Sequence, residues 1–216
     1  MPTPENPTWA RREVVTASTM NTRVRDPHRF LYQSPSCRVT ARQRGTYRDS
    51  SVNWVPADAL DPGGKLSGRW FTFAWYLPGQ GIQPPNEFDT AALARPDATA
   101  TGVPYALRLY APEDGRYDVA FGGVIDAPGT KPLNMHVKLG KNMANESMWS
   151  DDARVFASSS PGRSNITRGF GSLAAAVRLK KGESVSAGGI CDQSFLLGNK
   201  ELPGRSFFSM RWVGRY

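Results

Sequence analysis

Residues 105–125, YALRLYAPEDGRYDVAFGGVI, decide how this chain is read. Tyr117, Val119 and Phe121 alternate with Arg116, Asp118 and Ala120, so an extended segment here has one apolar face and one polar or small face. That is the period-two pattern of a half-buried strand, and the Ala-Pro-Glu-Asp-Gly before it supplies a turn. The same form recurs as NMHVKLGKN at 134–142, GSLAAAVRLKKGESVSAGG at 171–189 and SFFSMRWVG at 206–214. Short alternating strands closed by turn residues bury their apolar faces by forming a sandwich or a barrel, so the expected fold class is all-β. Tyr117, Val119, Phe121, Val177, Leu179, Val185, Phe207 and Trp212 are positioned to line one core.

At 216 residues the chain is long enough for one good core with a small appendage, and two full domains would be crowded. Its 21 Gly and 17 Pro favour many turns over long helices. The 27 Lys and Arg against 19 Asp and Glu give +8, a balance that favours anionic partners. The cations are dispersed, however, and a pair such as Lys180-Lys181 reads as solvated surface rather than as a nucleic-acid groove of clustered cations and stacking aromatics. No run approaches the roughly 20 apolar residues of a membrane-spanning helix. The opening MPTPENPTWARRE lacks the apolar centre of a signal peptide, so synthesis in the cytosol is expected. Cys37 and Cys191 stand far apart in sequence with no CxxC spacing, and two reduced thiols are expected, with their approach left open.

Nothing in the chain demands chemistry, and it is expected not to be an enzyme. Nucleophilic catalysis needs an oriented base, and only His28 and His136 offer an imidazole. His28 lies beside Pro27 in the N-terminal region, and His136 alternates with Met135 and Val137 as a strand residue. Glu113, Asp114 and Asp118 are explained by an acidic turn as well as by paired catalytic carboxylates. Asp151 and Asp152 with Glu146 fall short of the oxygen set that calcium requires. Ser158, Ser159 and Ser160 have no base nearby in sequence, and Asn165-Ile166-Thr167 matches a glycosylation acceptor only in a secreted protein. No phosphate loop or dinucleotide fingerprint occurs, so neither cofactor nor metal is expected.

The N-terminal residues prepare a different kind of segment. Residues 1–7 hold three prolines and read as an extended arm. Trp9 is expected to fill a pocket on this chain or on a neighbour. Thr16 is a candidate N-cap for a helix over Ala17 to Arg25, with Met20 and Val24 one turn apart and Val14 and Val15 at its start. Asp26 and Pro27 end it and open a second turn whose apolar side is Phe30 and Leu31. Two short amphipathic turns cannot form a core, so they must lean on something larger.

After the arm, CRVTARQR at 37–44 alternates as the first body strand, and Ser51 to Val55 is expected to continue it after a turn. The run WFTFAWY places Trp70, Thr72, Ala74 and Tyr76 on one face of a strand and Phe71, Phe73 and Trp75 on the other. That aromatic face is either core or a contact between subunits, and the same two options stand for Phe208 and Trp212. Residues 56–104 and 141–170 read as long loop insertions, the places where binding specificity resides.

In their order, Gly115, Tyr117, Val119, Asn142, Leu179, Gly182, Val185, Phe207 and Phe208 resemble the jelly roll of the complement and tumour-necrosis-factor superfamily. The resemblance implies a jelly-roll β-sandwich that packs as a trimer around a threefold axis, with Phe71, Phe73, Trp75, Tyr117, Phe121, Phe207, Phe208 and Trp212 as trimer interface or core. The run PTWARREVVTASTMNTRVRDPHRFLYQSPSCRV resembles the N-terminal signature of virion proteins of tailed phages of actinobacteria, often described as minor tail proteins. The matching positions are Trp9, Glu13, Val14, Val15, Thr16, Ala17, Met20, Asn21, Val24, Arg25, Asp26, Phe30, Leu31, Pro35, Arg38 and Val39, with departures at Arg12 and Pro27. This second resemblance implies a structural virion protein with an arm over 1–36 and a knob over 37–216. Trp9, Val14, Val15, Met20, Val24, Arg25, Phe30 and Leu31 would dock it to major capsid or tail proteins. Minor tail protein is the first expectation, capsid decoration protein the second, and a host-receptor or glycan-binding module the third. No nucleic acid and no membrane insertion are expected.

Overall fold

A computed structural model describes residues 14, 16–25, 34–40, 54–55, 70–78, 88–100, 103–126, 135–159, 168–191, 195–197 and 206–215. The described strands are antiparallel, and the described residues form an all-β fold apart from three short helical turns. In chain order they begin with β1 (Ser36–Thr40), β2 (Trp54–Val55), β3 (Phe71–Thr72), β4 (Trp75–Tyr76) and β5 (Phe88–Asp89). Next come β6 (Ala98–Ala100), β7 (Val103–Ala106), β8 (Leu109–Tyr110), β9 (Gly115–Asp126) and β10 (Met135–Lys141). The last five are β11 (Val155–Ser159), β12 (Arg168–Leu179), β13 (Ser184–Cys191), β14 (Phe195–Leu197) and β15 (Phe207–Gly214).

Two sheets carry the body. In the first, the order is β12-β9-β15-β1-β5, with β14 and β2 continuing beside the far end of β9. In the second it is β11-β10-β13, with β3 and β8 both paired to the free side of β13. A third, small sheet is β4-β7-β6. The pairings are nested: β1 with β15, β8 with β13, β9 with β12, and β10 with β11. A chain paired in this way is a long hairpin folded back on itself, and its two ends lie side by side in the first sheet.

Antiparallel partners share a face, so the register fixes which side chains enter the core. Cys37 and Val39 oppose Met210 and Phe208, and Phe208, Met210 and Trp212 oppose Phe121, Val119 and Tyr117. All of these are buried. From the second sheet Val137, Leu139, Val185 and Ala187 close the core. Its centre is an aromatic cluster: Phe73 stacks on Phe121 at 5.5 Å, Trp75 on Phe208 at 5.4 Å, and Trp75 meets Phe121 edge-on at 6.1 Å. Such pairs contribute about 0.5–1.5 kcal/mol each beyond the area they bury.

Several expectations are corrected here. WFTFAWY is not one strand: Phe71 and Thr72 pair with β13, whereas Trp75 and Tyr76 leave to pair with β7. At the break Phe73, Ala74 and Trp75 are buried in succession, so alternation fails where the chain passes between sheets. Trp54 and Val55 do not continue β1 but pair with β14. Phe207 is not a core residue, because the neighbouring Phe208 takes that place and Phe207 turns outward. The segments read as loops hold structure: β3 to β6 and the start of β7 lie within 56–104, and a 3-10 helix (Glu146–Ser150), β11 and the start of β12 lie within 141–170. The expected helix is two pieces, an α-helix over Ala17–Met20 and a π-helix over Asn21–Arg25. Thr16 caps it as expected, its Oγ1 accepting the Thr19 N–H at 3.1 Å. β1 also begins one residue inside the expected arm, at Ser36, and the Pro35 carbonyl already accepts the Trp212 N–H at 2.8 Å.

Two partly buried carboxylates organise the 88–111 segment. Asp89 accepts the N–H groups of Ala91, Leu93 and Ala94, and holds Ala92 between them at a left-handed φ of 53°. Asp97 accepts from the Leu107 and Arg108 N–H groups, the Arg108 guanidinium and the Tyr110 hydroxyl. Tyr110 is accordingly pushed up to about 12 by burial and by the Asp97 carboxylate it donates to.

Candidate interaction surface

Each body sheet has an inner face on the core and an outer face. On the second sheet the outer side chains are Thr72, Lys138 and Ser158, and Gly188 lies between the first two. This face is covered by its own chain. Residues 142–150 fold back over it and bury Met143 and Trp149 against Gly140, where a Cβ atom would collide with both. The Trp149 Nε1–H donates to Thr72 Oγ1 at 3.0 Å, and its ring stacks on Trp70 at 6.1 Å. The Lys138 ammonium lies 4.6 Å from the Trp70 ring centre and donates to the Trp149 carbonyl at 3.1 Å.

The turns at this end of the sandwich explain three of the residues that carried the superfamily resemblance. Asn142 takes a left-handed φ of 53°, accepts the Ser184 N–H on Oδ1 at 2.8 Å and donates its amide to Glu183. Gly182 turns at φ 85°, which favours glycine. Tyr117 is buried, and its hydroxyl donates to the Glu113 carbonyl at 2.7 Å.

The outer face of the first sheet is laid out in rungs across β1, β15, β9 and β12. They read Thr40, Phe207, Gly122, Ser172; then Arg38, Ser209, Ala120, Ala174; then Ser36, Arg211, Asp118, Ala176. Below them Arg116 opposes Arg178. On the first rung Phe207 lies flat across Gly122, where an added Cβ would come within 2.6 Å of the ring, and the Arg38 guanidinium stacks on Phe207 at 4.0 Å. Ser172, Ala174 and Ala176 are short, and with Arg178, Arg116, Asp118 and Arg211 they are exposed, so no described residue covers this part of the sheet.

The expected site residues fall into three groups. Phe73, Trp75, Tyr117, Phe121, Phe208 and Trp212 are in the core of their own chain, Phe207 is on the uncovered face, and Phe71 contributes its backbone to β3. Val14, Met20 and Val24 are exposed at 78%, 44% and 37%, Arg25 is exposed too, and the α-helix buries none of its residues. Trp9, Val15, Phe30 and Leu31 lie outside the described residues. Sequence reasoning did not find Trp149, Trp70 or Met143, nor the small-residue face, whose only trace was the run Ala174-Ala175-Ala176.

The candidate chemical groups are otherwise engaged or dispersed. Asp151 accepts from Arg154 Nε at 3.0 Å and from the Ala153 N–H, and Asp114 accepts the Lys181 N–H at 2.7 Å. His136 is exposed on β10. Among the described residues no three His, Cys, Asp or Glu side chains converge as a metal site. Cys37 is buried in the first sheet, and the Cys191 backbone belongs to the second. No protein-family model matches the chain, and neither does any curated protein.

Proposed function

We propose that this chain is a homotrimeric structural component of a tailed-phage virion, a jelly-roll knob held to the particle by its N-terminal arm. Minor tail protein comes first, capsid decoration protein second. The exposed outer face of the first sheet carries the reading: small Ala and Ser side chains beside Arg116, Arg178 and Arg211 have the small centre and charged surround of a protein contact. Two further observations support it. The nested pairing of β1 with β15, β8 with β13, β9 with β12 and β10 with β11 is what a jelly roll would give, and it supports that reading. The apolar side chains of Val14, Met20 and Val24 are exposed, as a docking surface requires.

Purified particles test the proposal. Quantitative mass spectrometry is expected to find the chain in them in multiples of three, and a variant lacking residues 1–33 is expected to fold but to be missing from particles. A few copies per particle identify the tail and many tens identify the capsid. Absence of the full-length chain from particles, or incorporation of the armless variant, would overturn the assignment.

A further inference from the structure

We infer that Asp118 and Arg211 are the charged contact between copies of this chain, each reaching the opposite member of the pair on a neighbouring copy. The inference rests on the self-association proposed above and names the side chains that would specify it.

Asp118 and Arg211 are directly opposed on β9 and β15 and share the exposed outer face. Directly opposed residues have their Cβ atoms about 4.5–5.5 Å apart, well within reach for these two side chains. Yet they form no ion pair with each other, and neither has another side-chain partner among the described residues. Charges elsewhere on this chain do close: Arg108 on Asp97 at 2.9 Å, Lys141 on Glu183 at 2.8 Å, Arg154 on Asp151 at 3.0 Å. Asp118 and Arg211 instead flank a surface cavity of about 350 Å³, whose described lining is completed by Ser34, Trp212 and Val213. Val213 is half exposed beside it, an apolar side chain next to two open charges.

The chemistry of that pair selects its partner. An acid and a base side by side are neutral together, so neither a free anion nor a free cation is matched by the site. The complement must present both signs at the same spacing, and a second copy does so by construction. At a threefold axis this one patch faces both neighbours, so Asp118 of one copy meets Arg211 of the second and its own Arg211 meets Asp118 of the third. The alanines of the same face, Ala174 and Ala176, let the copies approach closely enough for these side chains to meet.

Sedimentation equilibrium of the full chain provides the test. Asp118→Arg and Arg211→Asp are each expected to raise the dissociation constant of the assembly about tenfold or more, as reversals at a close intersubunit charge pair do. The doubly exchanged chain, carrying both substitutions, is expected to recover to within about threefold of the original. A wild-type assembly that is indifferent to the single reversals, or a double exchange that fails to recover, would overturn the inference. If either reversal prevents folding, Asp118→Asn and Arg211→Gln replace them in a double-mutant cycle: coupling supports the contact, and additivity overturns it. A wild-type chain that is monomeric throughout would instead refute the self-association beneath the inference, and that result needs no variant.

Discussion

The two sheets of this sandwich share a core but differ on their outer faces. The second sheet is roofed by its own chain, with Trp149 and Met143 packed onto Gly140 and Trp70 and Lys138 stacked at the edge. The first presents Ala120, Ala174, Ala176, Ser172 and Ser209 on its outer face, with Arg38, Arg116, Arg178 and Arg211 among them. On the second sheet Trp149 and Met143 fill the space above Gly140. On the first, Phe207 covers Gly122 alone, and Ala174 and Ala176 beyond it are small enough for a second surface to come close. On the proposed reading, one face serves folding stability and the other serves assembly.

The largest expected effect is on the roofed side. Trp149→Ala should cost about 3–5 kcal/mol, because a fully buried indole leaves a cavity that the 3-10 helix cannot close, and urea denaturation measures it. A loss under about 1 kcal/mol would mean that the roof is not part of the core. Alkaline titration probes the shared core next. Burial pushes Tyr117 up to about 12, while the same side chain in the unfolded chain ionises near 10. Stability is therefore unaffected by this group below pH 10 and falls as pH rises from 10 to 12, by about 2–3 kcal/mol. Thermal melts followed alongside phenolate absorbance check both the sign and the window.

Smaller substitutions sharpen the description of the roof. Thr72→Val removes the acceptor of the buried Trp149 N–H and should cost about 1–3 kcal/mol. Ser186, buried in the same sheet with an unbonded Oγ, behaves in the opposite way, and Ser186→Ala should be neutral or slightly stabilising. Glu183 gives a weaker effect at acid pH. Burial raises its pKa, but Lys141, the Lys180 N–H and the Asn142 amide outweigh that and hold it below the ordinary carboxylate value. Its contribution is present above that ordinary value and is lost as pH falls below it. The smallest effect on folding belongs to the bare face, where Ala176→Glu should change the stability of the separated chain by no more than about 0.5 kcal/mol.

Legibility in the sequence followed the locality of the signal. β9 and the β12–turn–β13 unit were readable because alternation and turn chemistry occur within one stretch: Tyr117, Val119 and Phe121 after Gly115, and Lys180-Lys181-Gly182 between Leu179 and Ser184. The break in WFTFAWY was hidden because an almost wholly apolar run looks the same whether it stays in one sheet or crosses to another. Phe207 and Phe208 are adjacent aromatics, and a one-residue choice exchanges the core face for the outer one. Trp149 stands in the polar stretch NESMWSDD, with no periodicity to give it a face, and its burial depends on Gly140 and Thr72. The outer-face rungs were beyond local reading altogether, since Arg211 meets Asp118 only through the pairing of β15 with β9.

The mass of the intact chain in solution, measured by sedimentation equilibrium across a wide dilution range, bears most directly on the division between the two faces. The account predicts a species of three times the 23.7 kDa chain, reduced to a single folded chain by Ala176→Glu. A wild-type protein that sediments as one chain at every concentration would contradict it.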